Sequence, residues 1–222
     1  MLKKPQLILI DLDGTLVDSV PDLAFCVDEM LKQLGISPRG ENAVRQWVGN
    51  GVQRLIERAI TNDLNGTIST EQYAQALPIF EKLYAENTCN KSCLYDGVLD
   101  GLNWLKQQGW HLGCITNKPA QFTLPLLETL NVRNFFEIVI SGDTLPEKKP
   151  HPMPLLHAAD FFKVKPEQSL MIGDSKNDVQ AARAAGFQVV CVPYGYNHGE
   201  NIELAQPDAV IQTLAELSEV FE

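Results

Sequence analysis

The sequence predicts an α/β protein, a Rossmann-like parallel sheet core with an inserted helical domain. Short apolar runs rich in β-branched residues recur along the chain, and each ends in a polar or glycine-bearing loop. Segments of helical spacing separate most of these runs, and strand alternating with helix implies a parallel sheet covered on both faces. The rhythm breaks once, where roughly a hundred residues separate the first run from the second, far more than a single crossover helix requires.

The first strand is expected at 7–10. The long gap reads as helical: 21–34 closes at Gly35, 52–60 carries an apolar stripe, and 70–86 follows a serine/threonine start. Pro78 falls inside the last of these and predicts a bend or a split there. Beyond the gap, 98–108 places Val98, Leu102 and Leu105 on one helical face ahead of a strand at 111–115. A helix at 120–130 has its first turn marked by Pro119 and its middle interrupted by Pro125. Then come a strand at 138–140, a helix at 152–162, a strand at 170–172, a helix at 177–185 closed by Gly186, and a strand at 189–192. The expected division is a core from 1–17 and 94–222 around a helical segment from 18–93.

With 222 residues, 45% hydrophobic and 21% charged, the chain falls in the range of a soluble globular protein. Its net charge of -10 argues against a nucleic-acid backbone or an anionic membrane as partner, since both are repelled at long range. An anionic substrate therefore requires locally supplied positive charge. No run reaches the roughly 18 to 20 apolar residues of a membrane span, and the polar start leads straight into a strand, so a cytoplasmic location is expected. The five cysteines are scattered and lack zinc-site spacing with His, which reads as reduced packing residues; the four histidines likewise lack ligand spacing.

The first strand runs into Asp11-Leu12-Asp13-Gly14-Thr15, and residues two apart on an extended chain point the same way. Two carboxylates then share the carboxyl edge of the sheet, where open α/β sheets bind ligands; alone, the segment also reads as an ordinary turn. Three further strand ends add to it: Thr116-Asn117-Lys118, then Lys148-Lys149-Pro150, then Gly173-Asp174-Ser175-Lys176-Asn177-Asp178. Together they bring a hydroxyl, an amide, an ammonium and two more carboxylates to one edge.

These four ordered motifs resemble those of the haloacid dehalogenase superfamily, over the whole chain outside the inserted segment. The resemblance implies that Asp11 is a nucleophile forming an acyl phosphate, which splits one slow hydrolysis into two easier steps. It implies that Asp13 is the acid and base, a role that neighbouring carboxylates would favour by holding its proton. Thr116 and Asn117 correspond to donors to phosphate oxygens, and Lys149, directly before proline, to the counter-charge, in preference to Lys148. The implied metal is Mg²⁺, held by the Asp11 carboxylate, the Asp13 backbone carbonyl and Asp174, with Asp178 and Ser175 behind them; the oxygen-only set suits that ion. Counting Asp11, Asp13, Asp174 and Asp178 against Lys149 leaves three negative charges, which Mg²⁺ reduces to one and a protonated Asp13 to none.

In that superfamily the segment inserted after the first motif is a cap that closes over the site and selects the substrate. Here Trp47-Val48-Gly49-Asn50-Gly51, followed by Leu55, Arg58 and Ala59, resembles the cap loop of phosphoglycolate phosphatases, and 195–200 is similar to bacterial members of that group. Gly49, Asn50 and Gly51 are the expected substrate-binding loop, because glycines let backbone N–H groups approach an anion ahead of a helix N-terminus. Arg45, Arg54 and Arg58 are candidate further cations, or residues of a solvated helix face. The resemblance thus implies Mg²⁺-dependent hydrolysis of 2-phosphoglycolate to glycolate and phosphate. Another small phosphate ester, pyrophosphate or a sugar phosphomutase reaction fits the same core, and a binding module without catalysis is the reading of a different class.

Overall fold

The computed structural model describes residues 2–221. The chain begins with β1 (Leu7–Ile10) and the two-residue β2 (Val17–Asp18), followed by α1 (Val20–Gln33), α2 (Glu41–Arg45), α3 (Val52–Thr61) and α4 (Thr70–Glu86). It returns through β3 (Cys93–Leu94) to α5 (Val98–Gln107), β4 (His111–Ile115), α6 (Ala120–Thr129), β5 (Ile138–Ile140) and α7 (Met153–Phe162). It ends with β6 (Ser169–Gly173), α8 (Lys176–Ala185), β7 (Gln188–Cys191) and β8 (Ala209–Val210).

Six strands form one parallel sheet in the order β5-β4-β1-β6-β7-β8, with β1 between β4 and β6. Side chains alternate between faces along a strand. Ile8 and Ile10 of β1 accordingly join a core with Leu102, Leu105 and Leu126, while Leu7 and Leu9 join one with Leu155, Val179 and Ala182. All four β1 residues are fully buried, as a strand covered on both faces requires. Ile10 is in register with Cys114 of β4 and Ile172 of β6, so the loops after three strands start at the same level.

The long gap holds α1 to α4, whose apolar faces form a third cluster around Met30, Leu31, Ile56 and Phe80. Phe122 of α6 and Tyr196 extend that cluster into the sheet-bearing part. The chain enters this helical unit through β2 and leaves through β3, which pair antiparallel. The split expected as one outcome at Pro78 is corrected: α4 is continuous, with Ser69 and Gln72 forming its capping box. Pro78 and Ala74, whose carbonyl loses its partner, both lie on the exposed side, where water satisfies the carbonyl. Pro125 and Gln121 stand in the same relation in the continuous α6. Helix α2 and strand β8 escaped the sequence reading because five and two residues show no period. All five cysteines are free.

Candidate active site

Three parallel strands deliver their following loops to one edge, and the carboxylate of Asp11 is the point where they meet. Its Oδ1 lies 2.8 Å from Lys149 Nζ and accepts the backbone N–H of Leu12 at 2.7 Å. The Lys149 ammonium also donates to Asp178 Oδ1 and to the Ile115 carbonyl, each at 2.7 Å. Burial works against this charge, but Asp11 and Asp178 outweigh it and hold the Lys149 pKa above its ordinary value. Burial pushes the Asp11 carboxyl up to about 7 against the pull of Lys149.

Asp174 sits beside them, accepting from Thr15 Oγ1 at 2.8 Å and from the Tyr196 backbone N–H at 2.6 Å. Burial first, then the charges of Asp178 and Asp11, raise its pKa well above the usual carboxylate range. Carboxylate oxygens of Asp11, Asp174 and Asp178 all lie within 4.8 Å of one another. Buried carboxylates with raised pKa values mark a surplus of negative charge that a divalent cation fits, and an all-oxygen set suits a hard ion. Asp178 is tied up from both sides: Oδ1 faces Lys149, and Oδ2 accepts from the Ser175 N–H and hydroxyl at 3.1 and 2.7 Å and from the Asp174 N–H at 3.3 Å.

Asp13 lines the same cleft as Asp11. Its carboxylate faces Lys118 Nζ, at 3.0 and 3.1 Å, and accepts from the Ser19 hydroxyl at 2.5 Å. The charge count is corrected, since it left out this lysine. Lys118 is buried, 5% exposed, and its addition to the ledger leaves two surplus negative charges rather than three. Sequence reasoning quoted Lys118 only as part of a motif; nothing in the pattern separates a lysine aimed at Asp13 from a solvated one.

Thr116 is buried in the cleft, its hydroxyl accepting from the Lys118 N–H at 3.2 Å. Asn117 commits both hydrogens of its side-chain amide to carbonyls, of Gly49 at 3.0 Å and of Lys149 at 2.9 Å. The Asn117 side chain thereby ties the loop of the helical unit to the sheet edge. Gly49 and Gly51 line the cleft and both take positive φ, 118° and 87°, the left-handed region where a side chain is strained. Asn50 instead borders a neighbouring groove with Gln53, Arg54 and Lys148. Lys148 lies on that groove and outside the cleft that holds Asp11.

The three arginines have other partners. Arg45 grips Asp18 through two bonds of 3.1 and 3.2 Å and Glu41 at 2.9 Å. Arg54 pairs with Glu57 and with the carbonyls of Gly66 and Leu64. Arg58 is buried and holds the carbonyls of Leu64, at 2.9 Å, and Trp47, at 2.5 Å. All three brace the helical unit, so neither a free cation nor, for Arg58, a solvated face describes them. The 195–200 stretch is a seam between the two parts. The Tyr196 hydroxyl donates to Asp18 Oδ1 at 2.5 Å and accepts the Ser19 N–H at 3.0 Å, while His198 Nδ1 lies 2.8 Å from the Gln46 carbonyl. Thr15, Ser19 and Tyr196 were missed as site residues, since a hydroxyl aimed at a carboxylate leaves no trace in sequence periodicity, and so was the buried Tyr84.

The result is a cleft with a cavity of about 40 Å³, with Asp11, Asp13, Thr116 and Lys118 on the sheet side and Leu23, Val48, Val52, Leu55 and Tyr84 on the helical side. It presents two carboxylates and a lysine, with Lys149 and the Asp174–Asp178 pair, which together with Asp11 could hold a divalent ion, directly behind Asp11. No helix among the described residues is long and apolar enough to cross a membrane.

Comparison with known proteins agrees with this geometry. The phosphoglycolate phosphatase of Nitrosococcus oceani is 61% identical over 221 residues, covering 100% of this chain and 98% of that protein. That of Pseudomonas putida is 50% identical, covering 96% of this chain and 78% of its own length. A crystal structure described as a predicted phosphoglycolate phosphatase from Haemophilus somnus superposes with a TM-score of 0.92 at 36% identity, covering 99% of both chains. The model of the haloacid dehalogenase-like hydrolases matches residues 8–192, and the chain belongs to that family.

Proposed function

We propose that the chain is a Mg²⁺-dependent phosphomonoester hydrolase whose substrate is 2-phosphoglycolate, released as glycolate and phosphate. The observation that carries the reading is Asp11, an oxygen nucleophile held 2.8 Å from a buried lysine on the floor of a closed-in cleft. The 61% identity to a protein bearing the name phosphoglycolate phosphatase supports the choice of substrate.

In this mechanism the free oxygen of Asp11 attacks phosphorus and takes the phosphoryl group as an acyl phosphate. Asp13 gives its proton to the departing alkoxide and then takes one from the water that hydrolyses the intermediate. Lys149 balances charge on Asp11 and on the phosphoryl oxygens, and the Thr116 hydroxyl donates to one of them. Asp11, Asp174 and the Asp13 backbone carbonyl would hold Mg²⁺, which when bound neutralises phosphoryl oxygens. Asp178 and Ser175 keep Lys149 and the loop of Asp174 in place. Gly49 and Gly51 offer backbone N–H groups and close packing over the ester.

The parts divide into a core of 1–17 and 94–222 and a cap of 18–93, with the β2–β3 ribbon as hinge. The enzyme is assigned to the cytoplasm, and its net charge of -10 supports the reading that it engages neither nucleic acid nor an anionic membrane. The test is turnover of a panel of phosphate esters by the purified protein with Mg²⁺. Phosphoglycolate should rank among the best, with one phosphate released per ester consumed; stoichiometric return of phosphate to a sugar would establish a mutase instead.

A further inference from the structure

We infer that Lys118 and Tyr84 form the subsite that holds the substrate's carboxylate, one from each side of the cleft. The inference rests on the phosphoglycolate reading and supplies its missing element, a group that recognises the organic end.

Two features of the cleft have no part in phosphoryl transfer. The Tyr84 ring is 1% exposed, stacked on Phe80 and tilted against Phe122, yet its hydroxyl has no hydrogen-bond partner among the described residues. A buried phenol left unpaired is costly, and a ligand group reaching it removes that cost. Burial holds the phenol protonated, so it is a donor for a group that enters the cleft Tyr84 lines. The Lys118 ammonium lies 4.8 Å from the centre of the Tyr84 ring and 3.0 Å from Asp13. An ammonium has three donors, and Asp13 has two oxygens to receive them.

The chemistry of a two-carbon ester fixes where its carboxylate falls. Asp13 must reach the bridging oxygen, and the carboxylate carbon is two bonds beyond it. A cation paired with Asp13 therefore lies beside that carboxylate. Lys149, beside Asp11, is occupied by Asp11, Asp178 and the Ile115 carbonyl, and Lys148 borders the neighbouring groove. The remaining cap residues on the cleft, Leu23, Val48, Val52 and Leu55, offer no charge and exclude water, which strengthens the charge-assisted bonds.

The experiment compares kcat/KM for 2-phosphoglycolate with that for ethyl phosphate, which has the same two carbons and no carboxylate. Any change transmitted through Asp13 enters both esters and cancels in the ratio. In K118M the ratio should fall at least tenfold from the wild-type value, in Y84F several-fold, and K118R should restore part of it. For variants too slow to assay, dissociation constants of the two esters in an Asp11→Asn background give the same ratio. An unchanged ratio in K118M and Y84F overturns the subsite while leaving the substrate assignment standing. A wild-type enzyme that does not prefer 2-phosphoglycolate overturns the proposed function itself.

Discussion

On the sheet side of the cleft, every functional group is held by at least one other. Lys149 has three partners within 2.8 Å, Asp174 is fixed by a hydroxyl and an N–H, and Asp178 accepts from three donors and the lysine. The helical side brings no charged side chain to the same cleft, only aliphatic groups, two glycines and one unpaired phenol. Preorganised dipoles and charges serve a reaction because they need no rearrangement as charge develops. A smooth apolar wall serves selection, because it penalises any substrate group it cannot satisfy. Substitutions on the two sides should therefore fail in different ways.

The largest effect is expected on the sheet side. Asp11→Asn keeps the shape and removes the nucleophile, so kcat should fall by about 10⁴-fold or more, with no phosphorylated protein trapped after mixing with substrate. Residual turnover near the wild-type rate would remove Asp11 from the mechanism. Next comes Lys149→Met, for which roughly 10²- to 10³-fold loss in kcat is expected, the range seen when one electrostatic stabiliser is deleted. A change confined to KM would place Lys149 in ground-state binding instead.

The same contrast explains what was legible in the sequence. The sheet edge announces itself because strands of β-branched residues end in polar loops, and the Asp11, Thr116, Lys149 and Asp174 loops follow such strands in order. Helices with a clear stripe, such as α3 and α4, could be placed to within one residue of their ends. Lys118 and Tyr84 could not be assigned, because their meaning depends on the helical unit folding back over the sheet, a contact between residues 84 and 118 that no local period encodes. The arginines illustrate the converse. Arg58 sits in the cap-loop motif, yet its charge goes to the Trp47 and Leu64 carbonyls that shape the loop.

On the helical side a smaller and different signature is expected. Gly51 has φ of 87°, and a Cβ there would lie 2.8 Å from Lys148 Nζ, the end of a flexible side chain that can move. With ψ at 172° the position lies in a region essentially confined to glycine, so Gly51→Ala strains the loop by about 1 to 3 kcal/mol without touching Asp11. KM for the ester should rise by about three- to tenfold while kcat stays within about threefold, read from steady-state kinetics. A fall in kcat as large as that of Lys149→Met would show that the loop takes part in chemistry and that the two walls are not separate in function.

The smallest effect sharpens the comparison from the side of stability. A buried carboxyl that ionises near 7 when folded and near 3.8 when unfolded binds more protons in the folded state between those values. Its contribution is therefore favourable below about pH 4 and is lost as pH rises through 7. Metal-free Asp11→Asn lacks this loss and keeps an oxygen to accept from Lys149. It should melt about 2 to 4 °C above the metal-free wild type at pH 8, the shift that 1 kcal/mol gives in a chain of this size, and the gap should close towards pH 5. Saturating Mg²⁺ should reverse the order at pH 8, because the carboxylate that destabilises the empty site is the one proposed to bind the ion. An Asp11→Asn protein less stable than wild type in EDTA at pH 8 would mean that the sheet-side charges are already balanced by Lys149 and Lys118, leaving no surplus for a divalent ion to offset.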